Sequence, residues 1–449
     1  MNFGSDLSRA WRGLLASALL AAVAATPSLV CAQAKEQYFG IPSYRVGPFA
    51  AGGTGLFGGI IDYLQYVNMK EGGVNGVKLT WAECETEYNS ARGVECYLRL
   101  LKKADQQMHV FEPLATPIAY GVINRFDDDK VVLTQYGYGR SDAADGRVFP
   151  WVFATMTSYW SQMSATLNWI AQREGGVDKL KGKKIAHVYL DSAFGREPLP
   201  VLRRLSREWG FELIEIPVTP PGLEQQSAWL RVRQERPDWI TFWGFGAGMN
   251  STALTSAARM NFPRDRIVGV WWAGSEEDVL PAGEAAKGYF AATNAPSGKQ
   301  YPLVQDIEKV VYGAGKGNLE DARRIGTIYW NRGVTAAVIW VEALRNGQRI
   351  ADKRGQTLNG DEIRAGFEAL NFTPGRLKEL GIEGLLPPFR LSCSDHEGAG
   401  VVKIMQWDGA KWNIVTPDWV SSDRKMIREM VEESAAKYAA EQKITPRKC

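Results

Sequence analysis

The sequence is short of the groups on which most enzymes depend. It holds three histidines in 449 residues, His109, His187 and His396, and none has a second histidine at the close spacing of a zinc site. No G-x-S-x-G is present, which excludes a serine-hydrolase elbow. Neither sign of charge is in excess: 53 Lys and Arg against 50 Asp and Glu leave a net +3 without a long basic tract, so nucleic acid is not an expected partner. No apolar run reaches the roughly 20 residues that cross a bilayer. These absences argue against an enzyme, and no metal or other cofactor is expected.

The first residues read as an address. Arg9 and Arg12 precede an apolar run from Leu14 to Ala25, then Thr26-Pro27-Ser28 and the small-residue triplet Ala32-Gln33-Ala34. This is the pattern of a secretory signal peptide, so residues 1–34 are expected to be cleaved near Ala34, releasing a periplasmic chain that starts near Lys35. Cys31 follows the apolar run, but Val30 stands where lipid-attachment sites carry Gly, Ala or Ser, and lipidation of Cys31 stays open. Four cysteines follow, in a compartment that favours pairing. Cys84 closes a predicted strand and Cys96 lies a turn or two inside the next helix, so a bridge would staple the two; the alternative is a pair of separate buried thiols. Cys393 and Cys449 pair only if the C-terminal tail folds back, and both readings stay open.

About 415 residues after cleavage suit two domains. Short β-rich runs (Tyr38 to Ser43, Lys78 to Cys84, His109 to Phe111, Val131 to Thr134, Lys184 to Leu190, Glu212 to Val218, Trp239 to Trp243, Ile267 to Trp271, Tyr289 to Ala292) alternate with helical patterns. The fold class is α/β: two doubly wound parallel-sheet lobes joined by three crossover segments. The crossings fall near Arg147 to Tyr159, Ala291 to Gly298 and Leu385 to Ser394. They divide the chain into one lobe of residues 35–155 with 295–388 and another of residues 156–294 with 389–449.

Two motifs carry sharper readings. Gly53-Thr54-Gly55-Leu56-Phe57-Gly58 matches G-x-G-x-x-G between a strand and a helix, the turn that seats a pyrophosphate in dinucleotide-binding folds; the same glycines suit close approach of any small polar ligand. Asp395-His396-Glu397 is read as a solvated turn in preference to an acid–base cluster. More informative are the loops after the strands, where open parallel sheets bind ligands. They carry Glu112 to Pro117, Gln135-Tyr136-Gly137-Tyr138-Gly139, Asp191-Ser192-Ala193-Phe194-Gly195, Gly244-Phe245-Gly246-Ala247-Gly248 and Trp271-Trp272-Ala273-Gly274-Ser275. Glycine with aromatics recurs in four of the five, offering close backbone approach and flat apolar walls.

With Val46-Gly47-Pro48-Phe49, Gly72-Gly73-Val74-Asn75-Gly76, Asp191 to Arg196 and Gly283-Glu284-Ala285-Ala286-Lys287-Gly288 in this order, the chain resembles the leucine/isoleucine/valine-type periplasmic solute-binding proteins of ABC transporters over nearly its whole mature length. The resemblance implies the type I periplasmic binding fold, a small-molecule ligand, an inner-membrane ABC permease as partner, and a monomer. It also implies that hydroxyl groups and backbone amides in the loops at Leu114 to Pro117 and Gln135 to Gly139 hold the ligand's carboxylate, with aromatic walls at Phe194 and Phe245. The candidate ligand-binding residues are Thr54, Ala115, Thr116, Tyr136, Tyr138, Phe194, Phe245 and Trp271. Where amino-acid binders of this family place an acid against the ligand's ammonium, this sequence has Trp271-Trp272, with Glu276 and Glu277 further on. An unpaired buried ammonium is costly, so the departure favours an aromatic or apolar solute over a branched-chain amino acid. The alternatives are an NAD-type oxidoreductase using the Gly53–Gly58 turn and a ligand-sensing receptor with the same fold.

Overall fold

Runs such as Lys-Ile-Ala-His-Val-Tyr-Leu, apolar on both alternating faces, form strands covered by helices on either side. The computed structural model describes Met1 and residues 35–449; the predicted signal peptide and Cys31 lie outside the described residues. The first sheet comprises β1 (Glu36–Ser43), β2 (Lys78–Glu85), β3 (Val110–Phe111), β4 (Val132–Thr134) and β5 (Val152–Phe153), all parallel, in the order β2-β1-β3-β4-β5. The second contains β6 (Lys184–Leu190), β7 (Glu212–Val218), β8 (Trp239–Trp243), β9 (Ile267–Gly269) and β10 (Phe290–Thr293) in the order β7-β6-β8-β9-β10, again parallel. β11 (Val401–Trp407) adds to β10 antiparallel, and β12 (Trp412–Ile414) to β11. In each sheet the strand order reverses beside its first strand, which opens a crevice at the strands' C-terminal ends. The predicted strand to Trp271 stops at Gly269, because Trp271–Ala273 coils into a 3-10 turn.

Three segments join the sheets: one after β5, one after β10 and one before β11. Buried Thr157, on the first, ties all three: its Oγ1 donates to Val401 O (2.8 Å) and accepts from Val401 N (3.2 Å) and Asn294 Nδ2 (2.8 Å). Beside it, Glu397 Oε1 accepts from Ser158 N at 2.8 Å. The turn at Asp395-His396-Glu397 is therefore not the solvated turn that its polarity predicts: His396 is buried, stacks on Phe153 and faces Val152 O across 2.7 Å, while Glu397 and Asp395 pair with Arg424. Interdomain packing, which polarity does not report, buries it. Among the described residues no cluster of His, Cys, Asp or Glu is set to hold a metal, and no helix is long and apolar enough to cross a membrane. Disulfides join Cys84 to Cys96 and Cys393 to Cys449, so the C-terminal tail does fold back.

The Gly53–Gly58 run does not form a nucleotide-binding turn. It lies inside helix α1 (Ala50–Glu71), where its amide groups are committed to the helix. Its Gly55, with Gly59 just beyond the run and Gly333 opposite, lets α1 approach a second long helix, α2 (Ile328–Ile350): a Cβ on Gly55 would stand 2.8 Å from Tyr329 Cβ, one on Gly59 2.2 Å from Trp330 O, and one on Gly333 1.9 Å from Leu56 O, while Gly53 and Gly58 make room for Tyr44 O and Leu319. Asp62 of α1, buried in this contact, accepts from Trp330 Nε1 (2.8 Å), Tyr312 OH (2.5 Å) and Asn318 N (2.7 Å).

Candidate functional site

The loops at the strands' C-terminal ends converge between the two sheets. From the first sheet come Tyr88 after β2, Leu114 and Thr116 after β3, Tyr138 after β4 and Tyr159 after β5; from the second come Phe194 after β6, Phe245 after β8 and Trp272 after β9. They enclose a void of about 10 Å³, room for about one water molecule. Rings from the two sides meet directly: Phe49 stacks on Phe245 with centroids 5.1 Å apart, Tyr88 lies 5.3 Å from Phe245, and Tyr138 meets Trp272 edge-on at 6.3 Å. No charged side chain lines the void. Two buried polar atoms in its wall, Thr116 Oγ1 and Trp272 Nε1, have no hydrogen-bond partner, and such groups normally have one.

Of the residues singled out in the sequence, Thr116, Tyr138, Phe194 and Phe245 line this void. Thr54 lies within α1, away from it, and Ala115 is the buried N-cap of the short helix Thr116–Val122, between two lining residues. The Tyr136 hydroxyl is engaged by Thr335 Oγ1 at 2.7 Å, and its ring rests against Trp271. Trp271 itself packs so closely on Gly137 that a Cβ there would lie 1.9 Å from its ring, and it is Trp272 that faces the void. The remaining lining residues are Leu114 and Trp272, which lie in loops the sequence pointed to without being singled out, and Tyr88 and Tyr159, which lie outside those loops. Tyr88 carried a usable signal, standing four residues beyond the predicted strand Lys78 to Cys84, whereas Tyr159 stands at the end of the predicted first crossing.

Acidic groups surround the void without entering it. Glu276 accepts from Ile328 N (2.9 Å) and Ser297, Glu277 from Arg324 (2.9 Å), and Asp278 from Ser275, Asn250 and Tyr329. Glu112, at the end of β3, is sealed behind Tyr136 and Leu114, and burial pushes its carboxyl up to about 8 from an ordinary 4.5. Between those values the folded protein holds a proton that the unfolded chain releases, so stability falls as pH rises through the window. Burial raises Glu197 and Glu276 to about 7 and Asp278 to about 6, which leaves Glu112 as the last of the four to titrate. His187, lowered to about 4 by burial, acts oppositely, but only below its ordinary 6.5. From pH 6.5 to 8, at about 1.4 kcal/mol per pH unit, Glu112 is expected to cost about 2 kcal/mol of unfolding free energy. Denaturant titrations at the two pH values check this: Glu112→Gln should remove about half of the total difference, the rest following Glu197 and Glu276, and an equal slope in wild type and variant would contradict it.

A family model described as periplasmic binding protein matches residues 36–411. A crystal structure described as an ABC transporter permease from the Pseudomonas fluorescens group is 45% identical, with a TM-score of 0.86, covering 92% of this chain and 99% of that one. More distant structures share the fold. One is a branched chain amino acid ABC transporter from Thermus thermophilus with bound valine (19% identity, TM-score 0.72, 88% of this chain and 98% of that one). Another is a solute binding protein of an ABC transporter from R. palustris in complex with benzoate (17%, 0.65, 87% and 97%). A comparison with curated proteins finds no match. The match over most of the chain, the 45% identity to a relative covered almost end to end, and two α/β lobes meeting at their strand ends lead to one assignment: the chain belongs to the periplasmic binding protein family, as a solute-binding protein of the ABC-transporter type I fold.

Proposed function

We propose that this protein captures a small aromatic or apolar solute in the void between its lobes and delivers it to an inner-membrane ABC permease, after export and cleavage near Ala34. The observation that carries the reading is the lining itself: five aromatic side chains among Tyr88, Tyr138, Tyr159, Phe194 and Phe245, with Trp272 as a sixth, and no charged group. Apolar area buried there contributes about 25 cal/mol per Å², and each well-placed aromatic pair roughly 0.5–1.5 kcal/mol more. A free amino acid would bury its ammonium among these rings with no acid to pair, since Glu276, Glu277 and Asp278 are engaged elsewhere. The R. palustris relative with benzoate lends support, whereas the Thermus thermophilus relative with valine marks the alternative ligand class.

Because the void holds no more than a water molecule, a solute enters only when the lobes part, and closure around it forms the surface offered to the permease. A panel of benzoate, hexanoate, benzamide, benzyl alcohol, leucine and valine, scored by thermal shift and small-angle scattering, tests the reading. The expected result is a rise in melting temperature with the aromatic or apolar members, and a smaller radius of gyration than that of a sample opened in their absence. Leucine or valine stabilising the protein more than every other member would overturn it.

A further inference from the structure

Helix α2 places an arginine in the sequence Ile328-Tyr329-Trp330-Asn331-Arg332-Gly333-Val334, and the helix is buried on nearly every side there. Arg332 is 0% exposed. Its guanidinium carbon lies 4.4 Å from the ring centre of Trp271, 5.3 Å from that of Trp272 and 5.7 Å from that of Tyr329. These rings attract the cation but cannot accept its in-plane N–H groups. Among the described residues, Nε, Nη1 and Nη2 all lack a hydrogen-bond partner. Burial lowers the group only to about 10, so it keeps its charge at neutral pH.

The acids nearest in charge do not satisfy it. Asp278 and Glu276 both favour the cation through space, yet the carboxylate of Asp278 is taken by Ser275, Asn250 and Tyr329, and that of Glu276 by Ile328 N and Ser297. One further buried donor, Nε1 of the Trp271 ring that lies closest to the guanidinium, is also unpartnered. Among the described residues, none of the unpartnered buried acceptors, Asn331 Oδ1, Glu277 Oε2 and Asn250 Oδ1 included, is hydrogen-bonded to the guanidinium. A buried charge left in that condition costs stability unless something else supplies the acceptors. Trp272 connects this cluster to the void, since its ring both contacts the guanidinium and forms part of the void's wall.

Resting on the reading that the solute binds between the lobes, we propose that Arg332 is the anion anchor of the site and that the captured solute is a monocarboxylate. Its two oxygens accept from the guanidinium fork in the bidentate manner that arginine favours, and its apolar part lies among the rings of the void. Trp272 sets the boundary between head group and tail, and its movement as the lobes part gives the carboxylate its path to Arg332.

Matched pairs of probes test this: benzoate against benzamide, and hexanoate against hexanamide, titrated calorimetrically into wild type, Arg332→Gln and Arg332→Lys. In wild type each carboxylate is expected to bind at least tenfold more tightly than its amide. Arg332→Gln should abolish that preference, and Arg332→Lys, which keeps the charge but not the fork, should retain part of it. Arg332→Met, which removes an uncompensated buried charge, should melt at a higher temperature than wild type without ligand. Amides binding as tightly as carboxylates, or a preference that survives in Arg332→Gln, would overturn the anchor while leaving an apolar binding site standing. Loss of cooperative melting in both Arg332→Gln and Arg332→Met would show that the arginine holds the fold instead. If none of the four probes binds, the anchor and the reading on which it rests fall together.

Discussion

Trp272→Ala is expected to weaken binding of the tightest member of the solute panel by at least tenfold, whereas Trp271→Ala should leave affinity within a few-fold and lower the melting temperature instead. The two residues are adjacent in one 3-10 turn, but their rings have different surroundings. Trp272 forms part of the wall of the void, between Phe245 at 5.8 Å and Tyr138 at 6.3 Å. Truncating it removes a wall of the site and one of its unpartnered donors. A tenfold loss corresponds to about 1.4 kcal/mol, within reach of one well-placed aromatic contact. Trp271 is packed against Gly137 and Tyr136, and removing it opens a cavity behind the site, for which large-to-small core changes cost about 3–5 kcal/mol. Calorimetric titration with parallel thermal melts separates the effects. Equal affinity losses in both variants would mean that the pair acts as one surface, and an affinity loss in Trp271→Ala alone would reverse the assignment.

A single methyl group between the two long helices is expected to cost stability as well. At Gly333 a Cβ would lie 1.9 Å from Leu56 O, 2.8 Å from its carbonyl carbon and 3.0 Å from Gly59 Cα, all backbone atoms that no rotamer change can move. Gly333→Ala must therefore push α1 and α2 apart, at a cost of about 1–3 kcal/mol or more, and Gly333→Val should cost more still. Gly121 supplies the control: it also lies in a helix, its Cβ would meet only Val94 Cγ2 at 3.4 Å, and alanine there is expected to be neutral or to stabilise by up to about 1 kcal/mol. Denaturant midpoints compare the variants. A Gly333→Ala protein as stable as wild type would show that the two helices do not need their close approach.

The same glycines explain one misreading of the sequence. G-x-G-x-x-G signifies only that backbone must come close to something at those positions. A phosphate and a neighbouring helix impose the same demand, and only the position of α2, more than 250 residues further along the chain, identifies which it is. The polar turn at His396 was misread for a related reason, since its burial comes from Phe153 and the joining segments.

Local order along the chain was enough to determine the architecture. Strand and helix periodicities set the alternation, alternation of parallel strands sets helices on both faces, and the loops at the strands' C-terminal ends then meet between the sheets; that Thr116, Tyr138, Phe194 and Phe245 would stand on those loops was legible from the sequence. What periodicity does not carry is the rotation of an irregular loop about its own axis. Whether Trp271 or Trp272 meets the void depends on how the turn after β9 settles against Gly137, and Tyr136 turns away because Thr335 of a distant helix takes its hydroxyl. Arg332 is the extreme case. In sequence it is one charged residue on a long helix, and it becomes a buried, unpartnered cation only because α2 is enclosed by α1 on one side and the tryptophans of the other lobe on another, an outcome of packing between segments that no local pattern encodes.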